Sequence, residues 1–259
     1  GEQRGERVTF DEFHAEKRSS VAKLAQFIDG DDSGVLQLSA NLGFLGRDRS
    51  LPDAIRAAKA AGFDAVEVHW PYDVDPAEVK AALDETGLPL LGLNTDRGDV
   101  ANGENGLSAL PGREPEARAA VDQALAYALA TGARNIHVMA GFAQGAQAEN
   151  VFVSALEYAC AKAEPYGITI LIEPLNHYDA PGYCLSTTSH AEELIERVAQ
   201  DTLKLMFDCY HVQLMEGDIS HRLARLKPVI GHIQFARVPD RGPPDGGELN
   251  YSHVFDVIR

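Results

Sequence analysis

The chain has 259 residues, 45% of them hydrophobic, and 39 acidic against 23 basic side chains give a formal net charge of −16. That length supports one large core or two small ones, and the acidic field argues against nucleic acid as a partner and for small-molecule chemistry. No run of about 18 uncharged apolar residues argues for a membrane span; Gly1–Arg7 is charged and lacks an apolar signal core, so the expected location is cytoplasmic. Cys160, Cys184 and Cys209 are odd in number and share no CxxC spacing, which argues against a disulfide framework or a thiolate zinc site.

Residues 1–34 differ from the rest of the chain. Thr9-Phe10-Asp11-Glu12 has the capping-box pattern, and Phe10, Phe13, Lys17, Val21, Leu24 and Ile28 recur at helical spacing. The pattern predicts an amphipathic helix over roughly 10–28, ended by Asp29-Gly30-Asp31-Asp32. It is expected to be an N-terminal extension packed on the main domain, residues 35–259, or on a partner subunit in a homo-oligomer.

After Gly34 a rhythm begins. Apolar runs occur at Val35–Ala40, Ala65–Val68, Pro89–Leu93, Asn135–Met139, Ile168–Ile172, Leu203–Phe207 and Val229–Phe235. Helix-like stretches alternate with them at Leu51–Ala61, Pro76–Thr86, Glu114–Thr131, Asn150–Tyr166, Ser189–Ala199 and Ile219–Leu226, several stopped by glycine (Gly62, Gly87, Gly132, Gly167). Strand–helix alternation implies parallel strands, and seven strands point to an α/β fold of the (β/α)8 TIM-barrel type, with a doubly wound sheet as the alternative. The seventh run is followed by a loop and a short helical start at Tyr251–Ile258, so the eighth βα unit is absent from the sequence. Either it lies beyond Arg259 or another segment closes the barrel, and the N-terminal extension is the only spare material.

Barrel enzymes build their sites at the C-terminal ends of the strands. The run Ile168–Ile172 leads straight into Glu173, a carboxylate that is costly to bury uncompensated. Asp208 and Gln234 stand at matching positions on the next two runs. Three oxygen donors without a thiolate suit Mg²⁺ or Mn²⁺ better than zinc. His211, three residues beyond Asp208, is placed to hydrogen-bond a substrate hydroxyl. Asn94 ends the third run, and His69-Trp70-Pro71 offers a wall over a small ligand. His137 and His232 lie inside apolar runs and read as core histidines. Two glycine-rich loops, 96–113 and 237–250, are candidate lids, and Arg241 in the second is placed to clamp a carboxylate. Neither loop has a nucleotide-binding pattern.

The segments IEPLNHYDAPGY (172–183), FDCYHVQLMEGD (207–218), GHIQFA (231–236) with PDRGPPDGGELNY (239–251), and NGENGLSALPGRE (102–114) resemble the hydroxypyruvate isomerase family, within the xylose-isomerase-like TIM-barrel superfamily. The resemblance covers about 35–259. It implies aldose–ketose type isomerisation of a small hydroxy-oxo acid, hydroxypyruvate to tartronate semialdehyde, at a divalent metal held by Glu173, Asp208 and Gln234. Glu173 would also be one member of an acid/base pair, and His211 and Arg241 match positions that contact substrate; Asn94 and His69 complete the expected substrate-binding set. A second glutamate is implied on an eighth strand, in a Gly-x-Glu-Tyr-like motif that this sequence does not contain. Arg237 stands where the family usually has Asp. Rival readings are a 2-oxo-tetronate isomerase or a ketose 3-epimerase of the same superfamily. In other classes stand a metal-dependent endonuclease, which the charge argues against, and a non-catalytic barrel.

Overall fold

The computed structural model describes residues 24–26 and 37–259. Seven strands follow one another in space as in sequence: β2 (Gln37–Asn41), β3 (Ala65–Glu67), β4 (Gly92–Asn94), β5 (Asn135–His137), β6 (Thr169–Ile172), β7 (Leu203–Asp208) and β8 (Ile230–Gln234). The pairs are parallel. β3 and β4 are joined just ahead of β4, by a parallel bridge between Val66 and Leu90 and by Val68 N–H donating to Gly92 O at 3.0 Å. Among the described residues the doubly wound order is not seen. Ile136, Ile170, Ile172, Leu205 and Phe207 are fully buried, as strands covered on both faces require.

Helices α1 (Leu51–Ala60), α2 (Pro76–Thr86), α3 (Glu114–Thr131), α4 (Ala146–Ala163), α5 (Thr188–Val198), α6 (Cys209–Met215), α7 (Ile219–Leu226) and α8 (Tyr251–Ile258) lie between and after the strands. Their ends are written in local chemistry. Ser50, Asp75 and Thr187 cap α1, α2 and α5 by accepting backbone N–H groups, and Gly87 and Gly132 close α2 and α3 in the left-handed region. On α3, Ala117, Ala120, Val121, Ala124 and Ala128 form the buried stripe, small enough to bring the helix close to the strands.

Three features depart from expectation. Of the helix expected over roughly 10–28, only Leu24–Gln26 fall among the described residues, and they form a strand, β1. It pairs antiparallel with β2 and lies against β8. The edge of β2 offers unpaired backbone groups, and pairing with them outweighs helical periodicity. The rest of that helix lies outside the described residues. Secondly, α6 has no counterpart among the expected helices; it starts directly from β7, with the Asp208 carboxylate accepting Tyr210 N–H at 2.8 Å. Thirdly, α4 starts at Ala146 rather than Asn150, and it gives way to a 3₁₀ turn at Glu164–Tyr166, where Pro165 cannot donate.

Phe207 is the largest side chain of β7 and has no solvent exposure. Phe207→Ala is expected to cost about 3–5 kcal/mol of unfolding free energy, read from urea denaturation. A loss below about 1 kcal/mol would contradict its place in a rigid core.

Candidate active site

The barrel delivers its acids where the strands end. Glu173 follows β6, Asp208 is the last residue of β7, and Gln234, the last of β8, pairs in register with Asp208. His211 sits in the first turn of α6, which the Asp208 cap fixes to the strand end. These residues converge. Glu173, Asp208 and His211 each offer one ligand atom, all lying within 4.8 Å of one another. His211 Nε2 is 3.8 Å from Glu173 Oε1 and 3.7 Å from Asp208 Oδ2, and the three side chains are at most 9% exposed.

Burial dominates the electrostatics. It pushes the Glu173 carboxyl well above its ordinary value, the Asp208 charge adds to this, and Arg241 offsets part of it. Asp208 is also raised by burial, against the pull of Arg241 and of the Tyr210 N–H. His211 is held well below its ordinary value, by burial and then by the charge of Arg241. Glu173 Oε1 is buried with no hydrogen-bond partner. Two close buried carboxylates, one with an orphaned oxygen, beside a neutral imidazole fit a hard divalent cation. Glu173 and Asp208 could hold one, with Gln234 Oε1 as a further oxygen donor.

The tautomer of His211 is set from behind. The buried Asn176 donates its backbone N–H to Nδ1 at 3.1 Å. A backbone N–H only donates, so Nδ1 accepts and Nε2 carries the proton, facing the carboxylates. Arg241 Nη2 lies 3.0 Å from that Nε2. Two donors therefore lie side by side at the mouth, and an oxygen beside the pair, within reach of each, would accept from both. Arg241 adopts φ 56°, an uncommon conformation for a side chain this long. Its guanidinium lies 4.9 Å from the ring centres of both Phe44 and Tyr210. It also reaches Asp208 Oδ2 at 3.7 Å and Asp179 Oδ2 at 3.4 Å. Asp179 is held in turn by Tyr210 OH at 2.9 Å and Asn176 Nδ2 at 3.1 Å.

A second polar group lies deeper. Glu67, at the end of β3, receives Gln234 Nε2 at 3.0 Å, and His232 Nε2 is 2.8 Å from the same carboxylate oxygen. Burial pushes Glu67 up, but the charge and close contact of His232 and then the Gln234 hydrogen bond outweigh it and hold the acid below its ordinary value. His137 and His232 are buried, as expected of core histidines, yet they face acids rather than backbone. His137 Nδ1 is 3.8 Å from Glu173 Oε2, and burial drops its pKa to about 3. Glu67, His137, His232, Gln234, Asn94 and His69 border a cavity of about 10 Å³, the scale of one water molecule.

Asn94 and His69 thus sit in a layer shared with Glu67, while His211 and Arg241 join Glu173 and Asp208. His69 is half-buried with a pKa pushed by burial to about 4, and its ring packs edge-on against Phe44 and Trp70. A Cβ at Gly43 would fall 2.1 Å from that ring, so a larger residue there would have to displace His69. Loop 96–113 is pinned: Arg97 stacks 4.0 Å over Trp70, Arg113 pairs with Glu104 at 2.5 Å, and Gly106 bridges to Ala140. Arg237 does not turn its charge on the cluster, because its guanidinium is taken by Asp240 at 2.5–2.7 Å and by Asp245 at 4.0 Å. No local signal in the sequence points to the roles of Glu67 and Asn176, because each acts on a residue of a distant strand or helix.

Among the described residues no helix is long and apolar enough to cross a membrane. The profile of the family described as xylose isomerase-like TIM barrel matches residues 55–259. The chain is 42% identical to a 2-oxo-tetronate isomerase of Cupriavidus necator, over 86% of this chain and 87% of that protein. It is 38% identical to the hydroxypyruvate isomerase of Escherichia coli, over 86% and 88%. Among solved structures, an AP endonuclease, family 2, from Brucella melitensis superposes with a TM-score of 0.82 at 38% identity, over 85% and 86% of the two chains. A D-psicose 3-epimerase superposes with a TM-score of 0.72 at 17% identity, a likeness of fold alone. The chain belongs to the xylose isomerase-like TIM barrel family, and it is an isomerase related over most of its length to the hydroxypyruvate and 2-oxo-tetronate isomerases.

Proposed function

We propose that the chain interconverts hydroxypyruvate and tartronate semialdehyde (2-hydroxy-3-oxopropanoate), with Glu173 as proton carrier and a divalent cation, Mg²⁺ or Mn²⁺, held by Glu173, Asp208 and Gln234. The observation that carries this reading is the buried Glu173–Asp208 pair with donors ranged over it. Moving a carbonyl to its neighbouring carbon needs a proton taken from the hydroxyl-bearing carbon and returned to the former carbonyl carbon, through an enediolate. Burial and the neighbouring Asp208 raise the basicity of Glu173, which suits that removal. His211, neutral with its proton on Nε2, donates to a substrate oxygen and can pass a proton between the two oxygens. Arg241 binds the carboxylate and, between Phe44 and Tyr210, holds it at the mouth. A bound divalent cation supplies positive charge for the oxyanion that develops during the reaction.

A second reading is isomerisation of a 2-oxo-tetronate, favoured by the 42% identity to the Cupriavidus necator enzyme. It uses the same proton chemistry on a longer acid. The net charge of −16 argues against nucleic acid as the substrate. Steady-state assays of both acids decide between the two: a kcat/KM at least tenfold higher on hydroxypyruvate supports the first reading, and the reverse ratio replaces it. In the same assay Arg241→Lys is expected to raise KM about tenfold or more with a smaller change in kcat, since an ammonium cannot make the two-pronged contact. An unchanged KM would remove Arg241 from carboxylate binding.

A further inference from the structure

His232 and Gln234 are two residues apart on β8, so both side chains point to the same face of the strand, into the barrel interior. There they meet Glu67, which lies 167 residues earlier in the chain. A carboxylate has acceptors only, so Gln234 must turn its NH₂ toward Glu67 Oε2, as the 3.0 Å contact shows. The opposite end of the amide, Oε1, is then left for other partners, and it is the one atom of a glutamine suited to a hard cation. Without Glu67 the two ends of the amide are nearly the same shape, and the wrong one could face the acids. His232 Nε2 lies 2.8 Å from the same oxygen, a close contact without hydrogen-bond geometry.

We infer that Glu67 is a positioning residue for Gln234: it fixes which end of the amide faces the Glu173–Asp208–His211 cluster. This rests on the proposed role of Gln234 as a cation ligand. The arrangement explains why an acid is buried in the barrel at a strand end that contributes nothing directly to the cluster.

The test is a Mn²⁺ titration, following free Mn²⁺ by electron paramagnetic resonance, with melting temperatures taken in EDTA. Glu67→Gln is expected to weaken Mn²⁺ binding about 10–100-fold while the metal-free melting temperature stays within a few degrees. The exchange Glu67→Gln with Gln234→Glu is expected to restore binding, because the carboxylate at 234 has oxygen at both ends and the amide at 67 can donate to it. Wild-type affinity in Glu67→Gln, or a folded exchange variant that stays weak, overturns the inference. If Glu67→Gln does not fold, the exchange variant alone decides, by binding or failing to bind. A structural role would lower the melting temperature alike with and without Mn²⁺, and the exchange would not repair affinity. Asp208→Asn in the same titration separates the two claims: if it binds like the wild type, the cation site itself is wrong. If it loses binding while Glu67→Gln keeps it, only the role of Glu67 falls.

Discussion

Glu173→Gln is expected to lower kcat on the preferred hydroxy-oxo acid by about 10²–10⁴-fold, the range for a general base, with the fold intact. The amide is nearly isosteric, so packing around position 173 survives, but it can neither take up a proton at neutral pH nor bind a cation with the same strength. The variant carries a second signature in stability. Burial and Asp208 raise the folded-state value of Glu173 above that of the unfolded chain. Protonation then favours the folded state, so this contribution is fully present below the unfolded value, near the ordinary carboxylate range, and is lost as pH rises toward the folded value. Above the unfolded value the metal-free wild type therefore loses stability that the glutamine variant keeps. Metal-free Glu173→Gln should melt higher than metal-free wild type, by about 2–4 °C for each kcal/mol relieved, and the gap should close on acidification. A variant with full turnover, or one that melts far lower, would contradict the assignment.

Removal of divalent cations by EDTA is expected to abolish isomerisation, and Mn²⁺ or Mg²⁺ to restore it. Asp208→Asn should reproduce the loss permanently. The asparagine oxygen can still accept Tyr210 N–H at the start of α6, so the helix should keep its cap while the second carboxylate of the cluster is gone. The measurement is turnover together with Mn²⁺ affinity: both fall by about 10²-fold or more in the variant if Asp208 is a ligand, against the 10–100-fold seen for groups that act from behind. Activity indifferent to EDTA would remove the cation from the reaction.

Much of the fold is legible in the sequence, because most of the signals are local. Each strand is an apolar run, and glycine stops or capping side chains mark many helix ends within a few residues of where they lie. Glu173, Asp208 and Gln234 can be picked out because strands of one barrel end on one rim, which turns sequence position into spatial position. The hidden features depend on pairings across the barrel. Glu67 meets Gln234 from 167 residues away, and no local pattern announces that contact. Asn176 fixes the His211 tautomer from 35 residues away, again across strands. β1 escapes for a related reason: Leu24 and its neighbours fit a helical stripe, but the open edge of β2 decides their conformation. Helix α6 is hard to read because it starts with no loop after β7.

Solvent isotope exchange in D₂O, followed by proton NMR on the preferred acid, tests the central claim most directly. If Glu173 carries the proton, the wild-type enzyme should introduce deuterium at the carbon that receives it, and Glu173→Gln should lose exchange and isomerisation together. Isomerisation by Glu173→Gln with deuterium incorporated at the wild-type rate would contradict the account.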